Sequence, residues 1–543
     1  MADKTYAKDA EQLAGEFREI SIAEFFEKNR HLLGYENTTK ALITVVKELV
    51  DNSLDACNEA RTLPDIKVNL KELSESRYKI VVEDNGPGIV KDKLAMAFGK
   101  LLYGTKFHRL VQGRGTQGIG ASGAILYAQL TTGKPAKIIS STGKDTHTYE
   151  LVIDTVKNQP HILSDSTEKT SDKWTGVRIE LEVEGRYIEK GQSVLEYLKQ
   201  TAMANPYAKI IFNGPNGKFT FERVTKEVPK QPKEIKPHPY GVELGILRRM
   251  LQYTKTRNVS TFLTSDFSRV GKNSAIQICK IAKVNSNTKP QNLTHEEIEK
   301  LHRAMQSVKL IAPPTDCLSP LGESLLAEGL KKETGAEFAV AVTRPASVYR
   351  GNPFMVECAL GFGGNLPSDQ QAQLFRLANK VPLLYNQSDC ALTEATQDVD
   401  WRRYNFSQSS GQLPAGQLAI LIHFASVWVP YTSEGKQAIA KYPEIVKELK
   451  LALQDAGRKL GKYISGKRRL IEARNRQSLF ESYIKEISEA ISKITGASKD
   501  RIQTKLEAML KKGKVIEEAA QEIIEEGTKG EKNEEGNRPE TED

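Results

Sequence analysis

A glutamate and an asparagine stand one helical turn apart in the charged segment 47–56. Glu48 and Asn52 are four residues apart, so in a helix their side chains share a face, and Asp55 follows three residues later. Mg²⁺ bound with a nucleotide needs few protein ligands, because phosphates and water fill most of its octahedron. Asn52 therefore suits a magnesium ligand, and Glu48 suits a base that polarises water. The competing interpretation is an ordinary solvated helix face.

A second carboxylate, Asp84, follows the segment 78–82, which we predict to be a strand. The next residues include Gly86 and Gly88, and glycines allow a tight turn and the close approach of a ligand. A carboxylate at such a strand end can accept a hydrogen bond from an exocyclic amine. The alternative is a turn without a binding role, because Asp-Asn-Gly is a common turn sequence.

Glycines also recur from Gly113 to Gly123, immediately before an apolar segment that we predict to be helical. Free backbone N–H groups at a helix N-terminus attract anions, so this segment predicts phosphate binding. It contains Gly-x-Gly-x-x-Gly, yet a basic loop precedes it and no acidic residue ends a second strand about 20 residues later, so a dinucleotide-binding Rossmann fold is disfavoured. The Walker A string Gly-Lys-Ser/Thr is absent.

These residues need a framework of helices and strands to hold them. Ser21 and Glu24 have the spacing of a capping box, and apolar residues recur at helical spacing from Thr39 to Ala60. We predict strands at 66–70 and 78–82 and near Ala136, Tyr149 and Val177, with a helix ending near Leu130. This mixed order of elements predicts an α/β sandwich.

The chain of 543 residues is long enough for roughly three or four domains. The proline-rich stretch 228–239 marks a first boundary, because its prolines exclude a helix or a central strand. Helical patterns follow at 242–253, 261–267, 272–282 and 295–306. Strands at 338–343, 354–361 and 417–428 then alternate with helices, and the chain is mostly helical from Glu434.

These patterns predict a multidomain α/β protein with five regions. We expect an N-terminal arm at 1–20, an α/β domain at 21–228, a small all-helical domain at 229–308, a second α/β domain at 309–470, and a helical region with an acidic tail at 471–543.

Charge is unevenly distributed along the chain. The formal net charge is +9, but residues 515–543 contain eleven acidic and three basic side chains, so the preceding residues carry +17. Such a surplus favours a polyanionic partner, although basic proteins without one are common. We expect the acidic tail to be solvated and disordered.

The five cysteines are widely spaced, and they support neither a disulfide framework nor a zinc site. The N-terminus is too polar for a signal peptide, and the best apolar run, 418–429, is too short to span a bilayer. We therefore expect a cytoplasmic protein with no membrane association.

The order and spacing of the three motifs resemble those of the GHKL (Bergerat) ATPases, which include gyrase B, MutL and sensor histidine kinases. In that family a Glu is the general base, an Asn holds Mg²⁺ and an Asp reads the adenine amine of ATP. The resemblance assigns these roles to Glu48, Asn52 and Asp84. A glycine-rich lid wraps the phosphates, and here it comprises Gly115, Thr116, Gln117, Gly118, Ile119, Gly120, Ala121 and Ser122. Ser122 stands where some members have a lysine, so its contact with phosphate stays open.

The resemblance extends over nearly the whole chain to the ATPase subunits of type IIB DNA topoisomerases. It rests on the segment 98–103 leading to Thr105 and Lys106, on Thr175-Gly-Val, on 236–241 and on 429–436. It implies a GHKL α/β sandwich, a small all-helical helix-two-turns-helix domain, and an α/β transducer domain with a long C-terminal helix. Thr105, Lys106 and Thr175 then join the nucleotide site.

Lys436 resembles the transducer lysine that reaches into the pocket and contacts the terminal phosphate of ATP. The resemblance makes it a candidate both for catalysis and for nucleotide binding. Without the family context, Lys436 would be interpreted as a surface lysine in the first turn of a helix.

The sequence disfavours DNA cleavage by this chain. Asp398-Val-Asp400 mimics the paired acids of a metal-dependent nuclease, but polar residues precede it where an apolar strand should deliver such a pair. In the resembled family a separate A subunit supplies the cleaving tyrosine and the metal site. The basic residues between Arg458 and Arg476 suit duplex phosphates, and a solvated helix face fits them equally well.

The resemblance implies an ATP- and Mg²⁺-dependent clamp. Two B subunits would dimerise around duplex DNA when ATP binds, and strand passage would relax supercoils through breaks made by the A subunit of an A2B2 heterotetramer. Two alternatives keep parts of this interpretation. One is a MutL-like or chaperone-like clamp ATPase without a nuclease partner, and the other is a basic DNA-binding scaffold with an inactive pocket.

Overall fold

The computed structural model describes residues 13–508 except 16, 108, 116, 117, 170–173 and 434. Its N-terminal part is a sheet of eight strands in the order β5-β4-β3-β6-β2-β1-β7-β8. The strands are β1 (Asp65–Ser74), β2 (Arg77–Glu83), β3 (Ala136–Thr142), β4 (Asp145–Asp154), β5 (Gln159–Lys169), β6 (Thr175–Glu184), β7 (Lys209–Gly214) and β8 (Gly217–Phe221). The helices are α1 (Ile22–Lys28), α2 (Thr38–Glu59), α3 (Lys91–Gly99), α4 (Gly120–Thr132) and α5 (Val194–Ala204).

Helix α2 is the central support of this part of the chain. The side chain of Asn37 caps its N-terminus by accepting a hydrogen bond from the Lys40 N–H. Its apolar residues recur at three and four residues, and those at 42, 45, 46 and 49 are buried in one core with the sheet. The predicted α/β sandwich is therefore confirmed, with helices packed on the sheet.

The following segment is a small helical unit with its own core. Its helices are α6 (Leu244–Tyr253), α7 (Val259–Asp266), α8 (Lys272–Ala282) and α9 (His295–Ser307). The helix predicted at 272–282 has those bounds, and the others differ from prediction by one or two residues at one or both ends. A capping box formed by Thr294 and Glu297 begins α9.

The third part contains a six-stranded sheet in which β9 pairs with β11 beside the order β10-β11-β14-β12-β13. Its strands are β9 (Phe338–Thr343), β10 (Ser347–Tyr349), β11 (Asn352–Phe362), β12 (Gln373–Ala378), β13 (Val381–Pro382) and β14 (Leu418–Ser426). The helices are α10 (Glu323–Thr334), α11 (Ala391–Asp398) and α12 (Pro443–Thr495).

The two faces of this second sheet pack against different helices. Residues such as Cys358 and Ile422 face a core that includes α12, whereas Ala359 and Leu421 face a core shared with α10. That second core also contains Met203 at the end of α5. The two sheet-containing parts of the chain are therefore joined by buried apolar contacts.

The long helix α12 begins later than the sequence indicated. Helical structure was expected from Glu434, yet α12 starts at Pro443 because the preceding residues form a loop closed by a bridge between Tyr431 and Ile439. Proline is favoured in the first helical turn. Glu434 itself and the acidic tail from 515 lie outside the described residues.

Candidate active site

Glu48 lies on α2, close to the start of α4 and to Lys436. Its carboxylate forms an ion pair with the adjacent Lys47, Oε1 to Nζ 3.1 Å. Its other oxygen lies against the start of α4, where a Cβ on Gly120 would stand 2.2 Å from Oε2. Burial raises the pKa of Glu48, but the positive charges of Lys47 and Lys436 lower it by more than burial raises it. The pKa of Glu48 therefore lies below its ordinary value. Glu48 is therefore a charged carboxylate that lies against the N-terminus of α4.

Asn52 lies one turn after Glu48 on α2, and its side chain is exposed. Asp55 is buried between two cations, Lys106 at 2.6 Å and Arg114 at 2.6 Å. Burial raises the pKa of Asp55, and these two cations bring the net pKa below its ordinary value. The same helix thus presents a charged carboxylate, an exposed carboxamide and a paired carboxylate in succession.

Asp84 lies just beyond the end of β2, and its carboxylate is buried. Its Oδ1 accepts hydrogen bonds from the N–H groups of Gly86 at 2.9 Å and Val177 at 3.2 Å. Its Oδ2 accepts one from the Ser53 hydroxyl at 2.9 Å, which leaves one lone pair on that oxygen for a further donor. Burial raises the pKa of Asp84.

Thr175 begins β6 beside Asp84. The following residue, Gly176, has φ of 142°, and a Cβ there would stand 2.1 Å from the Asp84 carbonyl oxygen. The Trp174 indole also donates to that carbonyl at 3.1 Å. The Thr175-Gly-Val motif is therefore a close backbone contact with the Asp84 turn, and glycine is required at its centre.

The described lid residues lead directly into α4. Gly115 and Gly118 are partly buried, Gly118 has φ of 62°, and Ile119 precedes the helix. Gly120, Ala121 and Ser122 form the first turn of α4. The Ser122 hydroxyl donates to the Ile119 carbonyl at 3.2 Å, so it is occupied within the helix start. Thr116 and Gln117 lie outside the described residues.

Thr105 and Lys106 precede the lid. Thr105 is exposed, and Lys106 bridges Asp55 and Glu59 with Nζ–oxygen distances of 2.6 and 3.4 Å. Lys106 thus holds the segment before the lid against the end of α2.

Lys436 is buried, and its position contradicts the interpretation as a surface lysine in a first helical turn. It lies in the loop before α12 with φ of 52°. Its Nζ donates to the Arg114 carbonyl at 3.1 Å, across 322 residues of chain. Its charge also lowers the pKa of Glu48. The structure therefore brings Lys436 to the lid and to the candidate base.

Several residues of the site were not predicted from the sequence. Arg114 is buried and donates to Asp55, Asn205 and Tyr207. Asn379 and Lys380 lie at the tip of the β12–β13 hairpin beside it. A signal for the last two existed, because Asn-Lys stands between two short apolar runs that suit a hairpin.

The acidic pair Asp398 and Asp400 and the basic stretch of α12 form ion pairs outside the candidate site. Asp398 ends α11 and pairs with Lys450 at 2.8 Å, and Asp400 pairs with Arg402 at 2.7 Å. In the basic stretch of α12, Lys459 pairs with Glu323 and Lys467 with Glu337. Part of that stretch therefore fixes α12 to its own domain.

Comparison with known proteins adds to this geometry. A family model described as histidine kinase-, DNA gyrase B- and HSP90-like ATPase matches residues 40–179, and one described as topoisomerase VI B subunit, transducer, matches residues 313–476.

Relatives that match along most of their length carry one name. The B subunit of type 2 DNA topoisomerase 6 from Archaeoglobus fulgidus is 46% identical over 516 residues, covering 93% of this chain and 85% of the relative. The same subunit from Thermococcus gammatolerans is 41% identical, covering 91% and 96%. The solved 43K ATPase domain of Thermus thermophilus gyrase B is 13% identical with a TM-score of 0.40, covering 83% of this chain and 92% of that one.

The N-terminal sheet with its carboxylate-bearing helix and lid defines an ATPase of the GHKL class, followed by a transducer domain. The chain belongs to the family of type 2 DNA topoisomerase 6 B subunits. Within the part of the chain that the structure describes, every helix is too short or too polar to span a membrane.

Proposed function

We propose that this chain hydrolyses ATP with Glu48 as the general base, and that turnover drives a clamp on duplex DNA. The observation that carries the proposal is the meeting of Glu48, the start of α4 and Lys436. A charged carboxylate can take a proton from water, and a helix N-terminus and a lysine can stabilise phosphate oxygens. The three groups come from one helix, the lid and the transducer.

Asp84 is the proposed reader of the adenine amine. Its two oxygens already hold three donors, so the carboxylate is fixed in orientation before a nucleotide arrives. The remaining lone pair on Oδ2 can accept one N–H from the base. Thr105, Lys106, Thr175 and the lid residues 115–122 are proposed to complete the nucleotide site.

Asn52 is the proposed protein ligand of Mg²⁺. Its side chain is exposed on the same helix as Glu48, and a carboxamide oxygen is a suitable donor for this ion. Among the described residues no group of three or more His, Cys, Asp or Glu could hold a metal, which fits an ion held mainly by phosphates and water. Bound there, Mg²⁺ would neutralise charge on the phosphates.

Lys436 is proposed to couple the nucleotide to the transducer. In the structure it donates to the carbonyl of Arg114, the residue before the lid, and on nucleotide binding it would exchange that carbonyl for the terminal phosphate. A contact that exists only with the triphosphate would favour the closed arrangement, and hydrolysis would remove it.

The partners are proposed from the family and from charge. Within its family, the chain would form an A2B2 heterotetramer with a DNA-cleaving topoisomerase VI A subunit and would dimerise through its ATPase domain when ATP binds. The net +17 of residues 1–514 suits contact with double-stranded DNA.

The replacement Glu48→Ala tests the catalytic proposal. We expect kcat for ATP to fall by about 10² to 10⁴-fold, because the general base is lost. Affinity for a non-hydrolysable ATP analogue should change little, since Asp84 and the lid remain. Glu75→Ala, at an exposed turn between β1 and β2, is the matched control and should keep wild-type turnover. Normal turnover in Glu48→Ala would refute the assignment.

The alternative is a MutL-like or chaperone-like clamp ATPase without a nuclease partner. It uses the same pocket, so ATP turnover alone does not separate the two. Relaxation of supercoils in the presence of the A subunit separates them.

A further inference from the structure

The hairpin between β12 and β13 has an unusual tip. Ala378 pairs with Val381, so the loop contains only Asn379 and Lys380, with φ of 48° and 67°. Two left-handed residues in a two-residue loop form a type I′ turn, for which Asn-Gly is the favoured pair. Asparagine tolerates this conformation, whereas lysine is strained in it. The contacts of the Lys380 side chain and backbone must offset that strain.

Asn379 joins the hairpin tip to the lid. Its Oδ1 accepts a hydrogen bond from the Ser426 N–H at 2.9 Å, and its Nδ2 donates to the Ser426 carbonyl at 2.9 Å. These two bonds to β14 fix the plane of the amide. The same Nδ2 donates to the carbonyl of Gly113 at 3.0 Å. The backbone two residues before the lid is therefore held by a side chain of the transducer.

The Lys380 backbone is held by a buried pair. Its N–H donates to Nε2 of His423 at 3.0 Å, so the proton of the neutral ring is on Nδ1, which donates to Glu357 at 2.7 Å. Both side chains are fully buried, and Glu357 also accepts the N–H groups of Leu321 and Gly322. The tip is thus fixed to the core of the second sheet.

Lys380 lines a cavity of about 240 Å³ together with Arg114 and Asp55. Its Nζ donates to the Ser319 hydroxyl at 3.1 Å and lies 6.0 Å from the centre of the Tyr207 ring. The hydroxyl of that tyrosine accepts from Arg114 at 3.1 Å. Tyr207 is therefore a neighbour of two buried cations, Lys380 from the transducer and Arg114, the residue before the lid.

Charge in this cavity is poorly balanced. Burial, together with the positive charge of Arg114, lowers the pKa of Lys380 to about 7, although Glu357 and Asp55 act in the opposite direction. The Nε of Arg114 has no hydrogen-bond partner among the described residues. A proton on Lys380 therefore repels the guanidinium that anchors the lid to α2.

We propose that the tip residues Asn379 and Lys380 are a second link between transducer and lid, and that Lys380 is a positioning residue for ATP hydrolysis. Asn379 holds the backbone at Gly113, two residues before the lid, and Lys380 sets the position of Arg114 and hence of Asp55 on the helix that carries Glu48. This proposal rests on ATP turnover by the chain, and it adds to the link made by Lys436.

The test uses Lys380→Met, Lys380→Gly and a control, Lys283→Gly. Methionine keeps most of the length of the lysine side chain without its charge. Glycine removes the side chain and relieves the backbone strain of the left-handed turn. Lys283 also has a left-handed φ, 55°, but lies at the end of α8 far along the chain from the lid. For both Lys380 variants we expect kcat for ATP to fall about 10-fold or more, with a smaller change in KM, because the reacting groups are misplaced rather than the nucleotide lost. The pH profile of kcat should lose an inflection near the Lys380 pKa of about 7.

Amide exchange of the lid segment provides a readout that needs no turnover. We expect faster exchange in a peptide covering residues 109–115 in both Lys380 variants, with and without a non-hydrolysable ATP analogue, and no change in Lys283→Gly. Variants that match Lys283→Gly in kcat, pH profile and exchange would overturn the proposal. If the wild type does not turn over ATP, the proposed function fails, while the exchange experiment still decides whether Lys380 positions the lid.

Discussion

At the scale of single residues, two glycines leave room for groups of the candidate site that carry carboxylates. Gly176 lets the start of β6 lie directly on the Asp84 carbonyl, and the Val177 N–H can then reach the Asp84 carboxylate. Gly120 likewise leaves room for the Glu48 carboxylate at the start of α4. The Asp84 carboxylate is therefore oriented by backbone that glycine allows to approach, and the Glu48 carboxylate occupies space that a larger residue at 120 would fill.

Gly176→Ala should therefore be severely destabilising. Its Cβ would collide with the Asp84 carbonyl, and φ of 142° is unfavourable for alanine, so we expect a local loss of about 3–5 kcal/mol. Gly191→Ala is the control, because that glycine also has a positive φ, 74°, but nothing within 4 Å of an added Cβ. It should lose about 1–2 kcal/mol from backbone strain alone. Amide exchange of β2 and β6 measures both, and equal losses would contradict the close contact.

At the scale of elements, α2 carries both the candidate base Glu48 and a buried carboxylate that is unfavourable for stability when charged. Asp51 is buried on it, with Oδ1 accepting from the Tyr197 hydroxyl at 3.0 Å and Oδ2 without a partner among the described residues. Burial raises the pKa of Asp51 to about 6 from 3.8, with Glu48 adding to the shift and Lys47, Arg114 and Lys436 opposing it. The helix that presents Glu48 to the pocket therefore also holds a charge that the fold disfavours.

Asp51→Asn tests this cost through pH. A carboxyl whose pKa is raised in the folded state stabilises the fold most below about pH 4, and that contribution is lost as the pH rises through 6. As the pH rises from roughly 4 to 7.5, the wild type should therefore lose about 2–3 kcal/mol of unfolding free energy relative to the variant. Denaturant unfolding at both pH values measures it. A difference that stays constant with pH would show that Asp51 titrates normally.

At the scale of the whole molecule, the two residues before the lid, Gly113 and Arg114, are held from two sides. Asp55 and Tyr207 bind Arg114 from the ATPase domain, and Asn379 and Lys436 bind the backbone at 113 and 114 from the transducer. The apolar core shared by α5 and α10 keeps the two domains adjacent. These contacts are the route by which the proposed nucleotide contact would act on the transducer.

Supercoil relaxation tests this coupling and the partner together. We expect relaxation of a negatively supercoiled plasmid only when the chain, a topoisomerase VI A subunit, ATP and Mg²⁺ are all present. Lys436→Met should lower relaxation by about 10²-fold, because the proposed contact to the terminal phosphate would be lost. Lys441→Met is the control, since Lys441 is largely exposed and pairs with Glu394. ATP turnover without relaxation when the A subunit is present would favour the MutL-like or chaperone-like alternative.

The local patterns of the sequence were sufficient for much of the fold. The helix at 272–282 and the strand at 338–343 have the predicted bounds, and the α/β sandwich is confirmed. Periodicity and capping residues act within a few residues of each other, so they can be read along the chain. The order of Glu48, Asn52, Asp84 and the glycines resembles that of the GHKL ATPases, and the matching family model confirms that class.

The surroundings of those residues were decided by tertiary structure. Lys436 was expected at the pocket by resemblance alone, and its contact with Arg114 spans 322 residues. Burial of Asp51 and the approach of Lys380 to Arg114 have no local pattern either. Their charges depend on which distant segments exclude water around them, so the helix and the motif were evident from the sequence, whereas the electrostatics of the pocket required the folded chain.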